Sequence, residues 1–194
     1  MRVQVIYASR LGATRGIAER IGARLRDGRL DVTVQPVSGA MPCTDTDAFV
    51  IGSGVYAGRW VREAADYMGR HRAILVRRPI WLFSSGPVGD LATRHEPVEP
   101  RDVGALRAMF NPREHRVFAG ALDRSTLDGS TLGRAERLVA RTMIPEGDYR
   151  DWATIDAWAA GIAREIARLR ARRPCSPAGI PVRPAAADRI SHIG

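Results

Sequence analysis

Val3-Gln4-Val5-Ile6-Tyr7-Ala8-Ser9-Arg10-Leu11-Gly12-Ala13-Thr14 is the stretch that decides the fold. Its first half is a short apolar run of the kind that forms a strand buried on both faces, and its second half is a small turn carrying hydroxyls and a glycine. Beyond the turn, Ile17, Ile21 and Leu25 recur at steps of four on one face of a helix, which Asp27-Gly28 closes. A buried strand that feeds an amphipathic helix through a short turn is the opening of a βα unit.

The same alternation continues down the chain. Asp31 to Val37 reads as a second strand, and a loop rich in Gly, Pro, Thr and Asp runs on to Asp47. Ala48-Phe49-Val50-Ile51-Gly52 is a third, short apolar strand. Trp60 to Arg72 is helical with Val61, Ala64, Ala65 and Met68 inward. Pro79 to Ser85 is a fourth strand, with proline tolerated at its first position. A short helix covers Val103 to Phe110, and Arg116 to Leu122 is a fifth strand. The last helix opens at Asp151, a good N-cap, and Trp152, Ile155, Ala159, Ile162, Ile166 and Leu169 stripe one of its faces. The pattern predicts an α/β three-layer domain over residues 1–172, with a five-stranded parallel sheet in the order 2-1-3-4-5 and helices on both faces. Residues 123–150 form an insert after strand five, with a helix predicted from Leu132 to Ile144, and the Pro- and Ala-rich residues 173–194 read as a disordered tail.

The chain has 194 residues, 45% of them hydrophobic and 26% charged, ordinary values for a soluble domain that needs no disulfide or metal to build a core. Its net charge is +9, and all thirty basic residues are arginine. The absence of lysine excludes a P-loop phosphate lysine and Schiff-base chemistry. The charge fits either a GC-rich coding bias or an anionic partner such as a carboxylate-bearing substrate, an acidic protein or an anionic membrane surface. The arginines are spread over the whole chain, so no nucleic-acid interface is expected. Cys43 and Cys175 make no CxxC and no zinc spacing, so no metal site is expected. The chain starts directly in a strand pattern and has no apolar run long enough to span a bilayer, which leads to the expectation of a cytoplasmic protein, with peripheral contact at the inner face of the plasma membrane left open.

In such a sheet, ligands bind beyond the carboxyl ends of the strands, at the point where the strand order reverses. Three turns lie there. The first is Ser9, Arg10, Leu11, Gly12, Ala13 and Thr14; it enters a helix N-terminus, whose free amides and dipole suit a phosphate, with Ser9 and Thr14 as hydroxyl donors. The bland alternative is a plain strand-to-helix turn capped by Thr14. The second is the Gly-rich stretch after strand three, Gly52, Ser53, Gly54, Val55, Tyr56, Ala57 and Gly58, continuing into Trp60. Its glycines miss the GxGxxG spacing, but a small-residue loop with aromatics can lie along a flat ring, with Tyr56 or Trp60 stacked on it. Trp60 reads equally well as a core residue. The third is Ser84, Ser85, Gly86, Pro87, Val88, Gly89 and Asp90, able to present amides to the polar edge of a heterocycle. No acidic cluster follows strand one and there is no GxSxG elbow, which sets aside phosphoacceptor and hydrolase readings. His71, His95, His115 and His192 sit on polar stretches and read as surface residues unpaired with any nucleophile.

These residues resemble the flavodoxin superfamily and, within it, the menaquinone-dependent protoporphyrinogen IX dehydrogenases. The first turn is similar to the Thr/Ser-x-x-Gly-x-Thr phosphate loop through Ser9, Gly12 and Thr14, departing at Leu11, where flavodoxins carry Thr. Phe118-Ala119-Gly120-Ala121-Leu122, the basic insert, Gly147 to Trp152 and Ala163 to Ala167 resemble the dehydrogenase. The resemblance implies FMN as cofactor, with its phosphate on Ser9 to Thr14 and its ring between the second and third turns. It implies an FMN-dependent oxidoreductase, with no side-chain acid or base named, that passes electrons from a porphyrinogen, an anionic small molecule, to a quinone or a redox partner protein. A peptide at Gly54 or Gly58 would reorient toward the ring. An FMN electron carrier, an NAD(P)H:quinone reductase and a flavodoxin fold that has lost FMN and acts as an interaction domain are the rival readings. The insert, with apolar Leu132, Leu138, Val139, Met143 and Ile144 beside Arg134, Arg137 and Arg141, could touch a membrane, cap the substrate side, pack on the domain edge or make a homodimer contact.

Overall fold

The computed structural model describes residues 1–42, 44–86, 88, 99–127, 133–143 and 145–172. The expected tail, both cysteines, His95 and His192 lie outside them. The parallel sheet is formed by β1 (Arg2–Ala8), β2 (Asp31–Pro36), β3 (Ala48–Tyr56), β5 (Ile80–Ser85) and β6 (Glu114–Phe118), in the order β2-β1-β3-β5-β6. Those are the five expected strands in the expected order. A further two-residue strand, β4 (Arg59–Trp60), pairs antiparallel with the end of β3.

Both faces of the central strands are apolar, as a parallel sheet between two helical layers requires. On one face Val3, Val5, Val50, Trp81 and Phe83 pack against α1 (Ala13–Asp27) and α6 (Trp152–Ala171) through Ile17, Ile21, Leu25, Ile155, Trp158 and Ile162. On the other, Ile6, Phe49, Ile51 and Leu82 pack against Tyr67 and Met68 of α2 (Arg62–Arg70), Leu75 of α3 (Arg72–Leu75) and Phe110 of α4 (Val103–Phe110). Burial of one such aromatic or branched side chain contributes about 1.5–3 kcal/mol. Phe83, Phe118 and Trp158 form an edge-to-face cluster with centroids 5.4 to 6.2 Å apart. The Phe83 ring lies over Gly52 so closely that a Cβ there would fall 2.0 Å from it. Asp156 of α6 ties the two helices of its layer together, taking Arg20 at 2.6 and 2.7 Å and Arg24 at 2.7 Å. These guanidinium bonds hold its carboxyl far below the usual range.

Three sequence expectations are corrected. Strand three does not stop at Gly52; it runs on to Tyr56, because β1 and β5 pair with it as far as Ser53 and Gly54, and Val55 and Tyr56 pair with β4. Strand five begins at Glu114, two residues early, and ends at Phe118. Ala121–Leu122 instead forms β7, paired antiparallel with β8 (Gly147–Asp148), because Gly120 presses against the backbone of Gly86: a Cβ on Gly120 would be 3.3 Å from the Gly86 Cα. The helix expected from Trp60 to Arg72 starts at Arg62 and breaks at His71, with Tyr67 rather than Ala65 fully buried. The insert helix, α5, covers Arg134–Met143, and Leu132 and Ile144 lie outside the described residues.

Candidate functional site

The first turn leaves β1 at Ala8 and enters α1 at Ala13, with Gly12 between them in the left-handed region at φ +87°. That conformation explains the glycine. The Gly12 N–H donates to Ser9 Oγ at 3.0 Å, so the Ser9 hydroxyl shapes the turn from within. Among the described residues no side chain caps α1, and its first turn holds no acidic residue. Thr14 is not the cap: it is 2% exposed, and its Oγ1 lies against Gly54, 3.1 Å from where a Cβ would stand there. The opening amides of a helix have no partner within the helix and carry the positive end of its dipole, so this end is arranged to accept an anion. Among the described residues, a Cβ on Gly12 would meet nothing within 4 Å.

The second turn is a hairpin. Tyr56 pairs with Arg59 across Ala57 and Gly58, which have φ of +49° and +74°, the positive pair that a two-residue type I′ turn needs. The hairpin is held by side chains from elsewhere. Asp102 accepts from the Trp60 N–H and from Arg59 Nη1, both at 3.0 Å. Ser53 Oγ accepts from the Val61 N–H at 2.9 Å, and the Trp60 indole donates to Ser84 Oγ at 2.8 Å. The Gly54 carbonyl accepts from Val61 and the Gly58 carbonyl from Arg101, so neither peptide stands loose in this arrangement. Trp60 is a core residue, 5% exposed, and no platform for a ring. Tyr56 is only partly buried, with the Arg10 guanidinium 5.2 Å from its ring centroid, joining the first turn to the second.

The third turn begins at the buried Ser84 and Ser85 of β5 and continues into Gly86 at φ +120°, whose N–H donates to the Phe118 carbonyl at 3.0 Å. Val88 packs near Gly120, and Pro87, Gly89 and Asp90 lie outside the described residues. Ser84 does not face the turn. Its Oγ meets Trp60 and, at 2.9 Å, His115 Nε2, and His115 Nδ1 meets Glu99 Oε1 at 3.0 Å. The expectation that His115 is a surface residue is corrected: its side chain is 1% exposed. The early start of β6 carries it into the sheet, and the period of two turns it inward while Arg116 faces out. Burial pushes its imidazole below the usual range, and Glu99 partly offsets this. Nothing local in Glu114-His115-Arg116 marks this; nor is there a local sign of Asp102 as the hairpin's anchor.

The insert reaches the same edge of the sheet. Leu122, Leu127 and Ala140 form a small buried cluster against which Leu11 of the first turn and Tyr56 of the second pack.

A sequence model of the flavodoxin domain matches residues 4–143. The chain belongs to the flavodoxin-domain family. No curated protein matches it. Among solved structures it is similar to a flavodoxin from the domain Archaea, at 16% identity over 86% of this chain and 99% of that one, with a TM-score of 0.57. It is similar to oxidised flavodoxin 2 from Bacillus cereus, at 18% identity over 85% and 99%, TM-score 0.56. It also resembles the rubredoxin oxygen:oxidoreductase of Desulfovibrio gigas, at 12% identity over 88% of this chain but 37% of that larger one, TM-score 0.56.

As a flavodoxin domain the protein takes FMN and is a redox protein that exchanges electrons with partners. The residues present fit that group. The uncapped start of α1 and the open space at Gly12 offer amides to a doubly charged phosphate, and the open space beyond Gly58 leaves room beside the hairpin. Among the described residues, no helix is long and apolar enough to cross a membrane.

Proposed function

We propose that this flavodoxin domain is an FMN-dependent oxidoreductase of the protoporphyrinogen IX dehydrogenase kind, which hands electrons from an anionic porphyrinogen to a quinone. In this reading Ser9, Arg10, Leu11, Gly12, Ala13 and Thr14 hold the phosphate. The end of β3 with its hairpin, Ser53 to Gly58, and the third turn from Ser85 onward flank the ring, with Ser84 behind them holding Trp60. When bound, FMN would supply two-electron redox chemistry between substrate and acceptor.

The observation that carries the reading is the packing of the insert: Leu122, Leu127 and Ala140 cover Leu11 and Tyr56. An element laid across the first two cofactor turns excludes water from that side and makes a wall for a substrate. α5 carries Arg134, Arg137 and Arg141, a chemistry suited to propionate carboxylates. The net charge of +9 favours an anionic substrate in the same way. The chain's own part is to fix the ring through the anchored hairpin, and no side-chain acid or base is invoked. A one-electron FMN carrier is the second reading, favoured by the likeness to flavodoxins over nearly their whole length.

Anaerobic turnover of protoporphyrinogen IX with menadione by the FMN-loaded protein separates the readings. Sustained turnover is expected. No turnover at high enzyme, with rapid bleaching by NADPH, would make it a reductase; inertness to both would leave the carrier.

A further inference from the structure

We propose that His115 is a positioning residue for the cofactor-side hairpin: it holds the Trp60 indole through Ser84, and a second proton on its imidazole breaks that hold. The relay stands on geometry alone, while its effect on FMN rests on the reading that the hairpin flanks the flavin ring.

With a neutral imidazole the direction of each bond in the relay follows from its end groups. An indole N–H only donates, so Ser84 Oγ accepts from Trp60 Nε1 at 2.8 Å. At the other end a carboxylate only accepts, so His115 Nδ1 carries a proton toward Glu99 Oε1 at 3.0 Å. In a neutral ring that leaves Nε2 unprotonated, to accept the remaining Ser84 proton at 2.9 Å. Glu99 also takes Arg107 Nη2 at 2.8 Å and is 41% exposed, so the relay runs from the solvent edge to the underside of the hairpin. Serine, histidine and glutamate in this order match the arrangement of a hydrolytic triad. That role is closed here: Ser84 is 0% exposed, and its oxygen is already engaged by an indole.

A doubly protonated His115 would donate from Nε2. Ser84 Oγ would then face two donors, and its own proton would lose its acceptor in a buried site, which is costly. The charged groups around the ring divide: Glu99 and Glu114 favour the cation, while Arg107 and, above all, burial oppose it. The neutral ring is therefore the holding state near neutral pH. Trp60 transmits the change because it belongs to the hairpin itself. Asp102 grips its backbone and Ser84 its indole, two separate fastenings on one residue two positions after Gly58.

The test uses the full chain, labelled with 15N, with the Trp60 indole signal assigned by its loss in Trp60→Phe. The signal is followed from about pH 8 to about pH 4, reaching below the ordinary histidine range because burial pushes His115 down, and FMN affinity is measured over the same range. The expected result is a single step in the Trp60 signal, with FMN binding weakening about fivefold to tenfold across it. In His115→Gln, whose amide oxygen accepts from Ser84 and does not titrate, both steps disappear. His115→Phe weakens FMN binding at every pH, and His115→Gln restores most of that loss. A Trp60 signal indifferent to pH, or shifting equally in His115→Gln, overturns the relay. A Trp60 step with no change in FMN affinity overturns the positioning role. A Trp60 step in a protein that binds no FMN at any pH overturns the flavin reading and the positioning role while the relay stands.

Discussion

The turn from Ser9 to Thr14 and the hairpin from Tyr56 to Val61 lie side by side at the carboxyl edge of the sheet, joined by Arg10 over Tyr56. The first is shaped from within, by the Gly12 amide on Ser9 and the left-handed glycine, and it leaves its helix start uncapped. The second is fastened from outside, by Ser84 and Asp102, 24 to 43 positions away in sequence. The contrast suits two different tasks. A phosphate is gripped by amides that must stay free of protein partners, whereas a flat ring needs a wall that does not move.

Replacing residues in the two regions should therefore have different consequences. The largest effect is expected at Gly52→Ala, beneath the hairpin. The added carbon would collide with the Phe83 ring, and overpacking of this kind costs roughly 2–3 kcal/mol; chemical denaturation of the apoprotein measures it. Asp102→Ala removes the acceptor of the Trp60 amide and is expected to cost about 1–2 kcal/mol in stability and to weaken FMN and riboflavin alike. Gly12→Ala places a side chain at φ +87° with no steric neighbour, a strain of about 1 kcal/mol. Its signature is selectivity: FMN binding falls while riboflavin binding holds. If Gly12→Ala weakened both ligands equally, the division of labour between the turns would be wrong. Smallest is Ala57→Gly, which relieves a non-glycine at φ +49° and should stabilise the apoprotein by less than about 1 kcal/mol in the same denaturation experiment.

The same contrast sets what the sequence discloses. β1, the first turn and α1 are legible because their determinants are adjacent: an apolar run, Gly12, and Ile17, Ile21 and Leu25 at steps of four. α4 over Val103–Phe110 and the Asp151 cap, whose side chain accepts from the Thr154 N–H, are local in the same way. The hairpin is not. Gly52-Ser53-Gly54 has the composition of a loop, and only pairing with β1 and β5 on either side makes it strand. His115 is hidden for the same reason. A polar tripeptide says nothing of the strand it belongs to, and the partners that bury it, Ser84 and Glu99, come from other segments. The break of strand five at Ala119-Gly120 likewise reflects a contact with Gly86 rather than anything in the run itself.

The central claim is that free amides opening α1 grip a phosphate while a heterocycle lies along the neighbouring turns. Equilibrium titration of the apoprotein with FMN and, separately, with riboflavin tests it most directly. Two charge-assisted bonds to the phosphate predict that FMN binds at least about 100-fold more tightly. Equal affinities, or a protein that takes up neither ligand, would contradict it.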